Sequence, residues 1–420
     1  MDSRAQIAWL ARRGGWGLAP GELDELSRLD PAEIVDRWVD PDGAGITEPP
    51  DPWVDITIDS ENPQQAFVEG IAAWLRHFVG SPRPLVERMT WIWHDHFAVS
   101  ARVVNFGELM FDHLRLLRRH ALGNFADLLR EVTTDPAMLV FLNGNTSTGD
   151  NPNENYAREM MELFSIGVGN FTEDDVRAAA VALTGWRVRP RLGIVELVAR
   201  NHDDTPQTLL GVPGVHDVDT VIDAVTHHPE CSRFITAKLT SALLGPGVDG
   251  SLVDSLAADF AAEGLELAPL VRAILLAGLD GAGSSVVTEP VSWAVSGLKA
   301  TQAEFPDRGA LGLLQATGQL PMAPPNVGGF PPGPAYLSSS ATAARYTMAS
   351  IMAAVAPPDN AARQAAAAGD LTLLADLLGR PEGFGPATQS AIGSLDSGSG
   401  ERAGAARLAL ALVAPEVVTG

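Results

Sequence analysis

Apolar residues recur at three- and four-residue spacing along most of the chain, a period that predicts helices. The clearest case is 151–167, NPNENYAREMMELFSIG. At about 100° per residue, Tyr156, Ala157, Met160, Leu163, Phe164 and Gly167 share one side; Glu154, Asn155, Arg158, Glu159 and Glu162 share the other. Asn151 as N-cap, Pro152 at the first helical position and Glu154 completing a capping box predict a helix over 152–167. The same spacing predicts helices over 31–39, 63–79, 84–97, 106–122, 125–132, 218–227, 231–244, 252–263, 268–277 and 290–304, and one capped by Thr172 with Asp175. Only around Arg191-Leu192-Gly193 does the period change to two, which predicts a hairpin over 187–199. The expected fold is therefore mainly α: a multi-helix single globular array with one minor β hairpin. Residues 1–350 are expected to carry any site. Ala-rich helices over 351–420, interrupted by Gly and Ser near 383–400, are expected to pack on them.

Three stretches break the helical pattern: 40–60, 201–214 and 318–339, the last reading GQLPMAPPNVGGFPPGPAYLSS. A loop of that length inside a folded unit usually functions or covers something.

Composition narrows the partners. A formal charge of -23 argues against nucleic acid and against anionic membrane surfaces. Cys231 is the sole cysteine, so an intrachain disulfide, a thiolate zinc site and an iron–sulfur cluster are excluded. Arg12-Arg13 invites comparison with a twin-arginine export signal, but the GGWGLAPGELDEL that follows has no apolar core. No apolar run is long enough to span a bilayer. As written, the chain is expected to be cytoplasmic.

Polar residues that could carry chemistry gather in three places. His94-Asp95-His96 invites a metal reading, yet positions two apart lie about 200° around a helix, so an unbroken helix cannot turn both rings to one ion. His202-Asp203 sits in a loop, where both could face a cation. Asn155, Glu159 and Glu162 fall on one helical face and suit a hard cation or a hydroxyl-rich ligand. Lys238 and Arg233 could approach an anion. Nucleophile-elbow, P-loop, dinucleotide and HExxH patterns are absent from the sequence.

Taken in order, ARRGGWGLAPGELDEL, ERMTWIWHDHF, NPNENYAREMMELFSIGVGNFTEDDVRAAAVALTGW, HDDTPQTLLG, HHPECSRFITAKL and PPNVGGFPPGPAYLSSSATAAR resemble the bacterial family of domain of unknown function 1800, from about residue 8 to about 350. The resemblance implies a helical domain without an established reaction, in proteins often exported and often encoded beside a phosphatase-like companion. Its recurring polar positions correspond to His94, His96, Asn153, Glu154, Asn155, Arg158, Glu159, Glu162, His202, Asp203, Pro325 and Asn326. The chain departs from the family pattern at Gln207, where Lys is usual, and at Phe330, where Trp is usual.

Together these readings lead to an expected metal-dependent enzyme, hydrolytic in its simplest form. Glu159, His94 and His202 are its expected catalytic groups; His96, Glu162 and Asp203 are its ligands for a divalent ion (Zn, Mn or Fe); and Asn153, Asn155, Arg158 and Asn326 bind a small-molecule or carbohydrate substrate. The alternative is a non-catalytic binding or assembly protein. In it NENYARE and PPNVGG form a groove for a polysaccharide or protein partner, with Trp91, Trp93, Phe330 and Tyr336 as stacking surfaces. A haem protein with His94 or His96 as axial ligand is a third possibility.

Overall fold

Proline at its first position and Phe97 at its end define the helix Pro84–His96, on which Leu85, Met89, Trp91, Trp93, His94 and His96 are all buried. A helix buried on every side, with even Glu87 and Arg88 out of solvent, has to be covered on every side, and this one lies inside the molecule. Trp91 faces Trp74, Phe78 and Trp16, while Trp93 on the opposite side meets Phe97 and Phe125. Each indole that is hydrogen-bonded here uses its one donor: Trp91 Nε1 to Glu289 (2.9 Å) and Trp93 Nε1 to the Ala121 carbonyl (3.0 Å). This is a computed structural model, and it describes residues 2–58, 63–304, 307–395 and 401–420.

The architecture is mainly α-helical, with two small two-stranded antiparallel sheets among the described residues. One hydrophobic core takes side chains from Ile7 to Val418. The C-terminal helices join it: Trp293 Nε1 donates to the Leu412 carbonyl (2.8 Å), and Arg4 forms an ion pair with Asp376. No helix among the described residues is long and apolar enough to cross a membrane. Parts of two expected irregular stretches, residues 59–60 and 396–400, lie outside the described residues.

The two-faced helix begins later than its sequence suggests. Asn153, not Asn151, is the N-cap: its Oδ1 accepts the Asn155 N–H (2.9 Å), and its amide donates to the carbonyls of Leu142 and Asn143. Thr148 and Asn151 are tied to each other in a turn, which holds Asn151 outside the helix. The α-helix runs only over Glu154–Glu159 and then widens into a π-helical segment, Met160–Ser165. That extra residue per turn rotates Met161 and Ser165 into the core beside Met160 and Phe164. The charged side faces outward. Arg158 is held by both oxygens of Glu173 at 2.7 Å, and Asn155 is exposed.

The expected hairpin is present, pairing Trp186–Arg189 with Ile194–Leu197. A second one pairs Gln207–Leu209 with Val212–Val215, inside a stretch expected to be irregular. Its two-residue turn, Leu210-Gly211, has φ of 51° and 81°. Both positive values are what a type I′ turn requires. Leucine replaces the Asn or Asp that usually signals this turn, and so the hairpin was hidden.

Candidate anion-binding cavity

The sequence groups WHDHF, NENYARE and HDD into one site, whereas the structure sorts these segments into two places. In the first, the His202 segment packs on the polar loop before the two-faced helix. Gly149 N–H donates to the Asn201 carbonyl (2.9 Å), and Arg187 reaches the carbonyls of Asn145 and Ser147. Asp203 N–H donates to Thr184 Oγ1, and the Asp203 carboxylate accepts the Thr205 N–H, which together with the Thr205 side chain lowers its pKa. His202 Nδ1 donates to the Thr184 carbonyl (3.0 Å). Every one of these is a loop-fixing bond. The void beside Asn153, Ser147, Tyr156 and Trp186 holds only about 10 Å³, too small for more than a water. Glu159 and Glu162 stay half-buried on the outer face; burial and the charge of Glu162 raise the Glu159 pKa.

The second place lies around Pro84–His96. The two imidazoles point apart, as an unbroken helix requires. His94 Nε2 accepts the Met322 N–H (3.1 Å), so in the neutral ring the proton is on Nδ1. His96 Nε2 donates to the Phe164 carbonyl (3.0 Å), so its proton is on the other nitrogen. Burial lowers both pKa values to about 3, assisted at His94 by His113 and at His96 by Lys238. Both are core imidazoles. Among the described residues, no three His, Cys, Asp or Glu side chains are grouped to hold one metal ion. The expected set of His96, Glu162 and Asp203 with His94, Glu159 and His202 is thus distributed over separate neighbourhoods.

Between the two imidazoles, Asp95 takes the position of interest. Its Oδ1 accepts the Phe330 N–H (2.6 Å), pinning the Gly/Pro-rich loop to the helix. Gly329, at φ +86°, passes so close that a Cβ there would lie 2.5 Å from Asp95 Oδ1. Only glycine meets both conditions. The loop thereby brings Phe330 near-parallel to Trp91, with centroids 5.9 Å apart and planes at 17°. Asn326 lies outside this wall; exposed, it closes a turn by accepting the Gly328 N–H.

The loop walls a cavity of about 650 Å³, a volume typical of small-molecule sites. Trp16, Trp91, Trp93, Trp293 and Phe330 supply its aromatic surface. Its charged lining is Arg12, Arg13, Arg88, Arg380, Lys238, Asp95 and Glu289. The guanidinium groups are held chiefly by neutral acceptors. Arg88 donates to Ser292 Oγ (2.7 Å) and to the carbonyls of Gly15 and Arg12, Arg13 to the Ser284 carbonyl (2.6 Å), and Arg12 to the Gly379 carbonyl. Arg380 has Glu382 at 3.8 Å. Buried donor atoms Arg12 Nε, Arg13 Nε, Arg13 Nη1, Arg380 Nε and Trp16 Nε1 have no partner among the described residues.

Crowded like charges in a buried place depress one another. Burial, then Arg380, lower Arg12 to about 9; burial, then Arg88 and Arg380, lower Arg13 to about 10; burial lowers Arg88 to about 10. All three stay charged at neutral pH. At the other end, burial and then Glu289 push Asp95 up to about 7, against the opposing pull of the Phe330 N–H and Lys238.

Of these residues the sequence had pointed to Trp91, Trp93 and Phe330 as stacking surfaces and to Lys238 as an anion contact. Arg12-Arg13 reads in the sequence only as a candidate export signal, and Arg88, Glu289 and Arg380 carry no sequence motif. A signal for Arg88 did exist: it sits among Leu85, Met89 and Trp91 in a helix with no polar face.

Fold and cavity define a mainly helical protein built around a cationic, aromatic-walled pocket. The chain belongs to the family described as Protein of unknown function (DUF1800), whose model matches residues 9–418. The match extends beyond residue 350, through the helices that bring Leu378 and Arg380 to the cavity. No curated protein and no solved structure matches the chain.

Proposed function

We propose that this protein binds a small organic anion in the cavity, with the anionic group among Arg12, Arg13 and Arg88 and a ring against Phe330. One observation carries the reading: three buried guanidinium groups face one cavity and are satisfied by carbonyls and a serine rather than by carboxylates. Carbonyls satisfy the hydrogen bonds but leave the charge. In a chain of net charge -23, a cluster in which no carboxylate among the described residues is hydrogen-bonded to Arg12, Arg13 or Arg88, Glu382 and Glu289 acting only from farther off, is a binding feature. Of the binding-groove alternative this keeps Gly328 and Phe330 of PPNVGGF as lining; NENYARE lies elsewhere, and a small anion takes the place of the polysaccharide or protein partner.

Calorimetric titration with inorganic phosphate, sulfate and citrate tests it. At least one should bind with one-to-one stoichiometry, and Arg13→Ala should weaken that binding at least about tenfold, since a hydrogen bond to a charged group contributes about 1.5–3 kcal/mol. No binding by any of the three, or binding unchanged in a folded Arg13→Ala protein, would overturn it.

A further inference from the structure

The cavity has two chemically different ends. Arg88 donates to the carbonyls of Arg12 and Gly15, which keeps it beside the Arg12-Arg13 pair, whereas Glu289 and Asp95 are tied to Trp91 and Phe330. At the far end the two carboxylates each spend one oxygen on a fixed donor, Asp95 Oδ1 on the Phe330 N–H and Glu289 Oε2 on Trp91 Nε1. Their other oxygens, Asp95 Oδ2 and Glu289 Oε1, have no hydrogen-bond partner among the described residues and belong to groups lining the cavity. Glu289 Oε1 can accept a hydrogen bond from a ligand, and Asp95 Oδ2 can accept one when ionised or donate one when neutral. Lys238 already opposes the charge at Asp95, so neutral donors fit better than a second ammonium group, and hydroxyl groups are the neutral donors a sugar carries. Phe330 stacks on buried Trp91, which is 2% exposed, so half-buried Phe330 is the aromatic face of this pair that the C–H side of a sugar ring can cover.

We infer that the ligand is a phosphorylated sugar, its phosphate among the guanidinium groups, its ring on Phe330 and its hydroxyls hydrogen-bonded to Glu289 and Asp95. Phosphate, rather than a single carboxylate, brings three terminal oxygens to donors on Arg12 and Arg13, with Arg88, whose N–H groups are mostly spent on Gly15, Arg12 and Ser292, adding charge beside them. A cavity of about 650 Å³ takes a mono- or disaccharide phosphate whole. This inference rests on the anion-binding reading above and adds the chemistry of the other end.

The test compares the dissociation constants of the purified full chain for inorganic phosphate, phenyl phosphate and four sugar phosphates: the 6-phosphates of glucose, mannose and N-acetylglucosamine, and ribose 5-phosphate. At least one sugar phosphate should bind about tenfold or more tightly than both inorganic and phenyl phosphate, the gain expected from one or two hydrogen bonds to carboxylates. Glu289→Gln, which keeps an oxygen for Trp91 Nε1, should lower that sugar phosphate's affinity about tenfold, with near-ultraviolet circular dichroism confirming the fold. Phenyl phosphate binding as tightly as the best sugar phosphate, or a Glu289→Gln protein binding sugar phosphate like the parent, would overturn the sugar assignment and leave the anion reading standing. Failure of inorganic phosphate and of every phosphate ester to bind would remove both.

Discussion

Three consecutive residues, His94, Asp95 and His96, show how far a side chain's meaning depends on where its helix lies. Burial lowers both imidazoles from their ordinary 6.5 to about 3 and raises the Asp95 carboxyl from 3.8 to about 7. The signs oppose each other. A neutral buried imidazole contributes stability that is present above pH 6.5 and lost as pH falls toward 3; a buried carboxyl that resists ionisation contributes stability that grows as pH falls from about 7 toward 3.8. Asp95→Asn removes the second effect alone. Between pH 7 and 4 the Asn variant should therefore lose stability on acidification faster than the parent, by about 1.4 kcal/mol per pH unit where one proton separates them. Urea unfolding at pH 7, 6 and 5 measures the difference; equal slopes, or a shallower one in the variant, would contradict the burial of Asp95. The sequence marked this triplet as chemistry but favoured the histidines, because imidazole is the commoner ligand. The structure puts both Asp95 and His96 on the cavity lining, but only the aspartate holds the Gly/Pro loop that walls it, His96 being spent on the Phe164 carbonyl. Arg12 and Arg13 were obscured in the same way, since an Arg pair near the start of a chain prompts a targeting question before a structural one.

At the scale of elements, periodicity made the helices legible, and it failed where backbone conformation departs from the usual signals. The 187–199 hairpin was readable from alternation around Arg191-Leu192-Gly193; the next one was not, because Leu210 takes the positive φ that Asn or Asp normally advertises. No side-chain pattern announces the π-helical Met160–Ser165, which buries Met161 and Ser165, two residues that the apolar face read at 100° per residue does not include. The irregular 318–339 stretch was correctly singled out by its length and Pro/Gly content, while its partner could not be read, since the hydrogen bonds that fix it join Met322 to His94 and Phe330 to Asp95 across more than two hundred residues. Gly329 is the point where that loop has no freedom. Gly329→Ala should cost about 1–3 kcal/mol in unfolding free energy, from strain at positive φ and displacement from Asp95, and should weaken ligand binding by releasing Phe330 from Trp91. Unfolding curves followed by tryptophan fluorescence check this. A variant as stable as the parent that binds equally well would show that the loop does not form the cavity wall.

The whole molecule sets a cationic cavity inside an acidic protein. Its walls come from the helix Ser3–Arg13, the helix Pro84–His96, the segment around Glu289, the Gly/Pro loop and the turn at Leu378–Arg380. Assembling a site from elements so far apart in sequence makes it a property of the complete fold, and explains why motif reading found the pieces without the cavity. The central claim is that an anion sits among Arg12, Arg13 and Arg88. A crystal of the protein soaked in tungstate, a phosphate-like anion with strong anomalous scattering, tests it most directly. The account predicts an anomalous peak within hydrogen-bonding distance of those guanidinium groups. A well-occupied peak only at the His202 segment or on the outer surface, or no peak in the cavity at saturating tungstate, would contradict it.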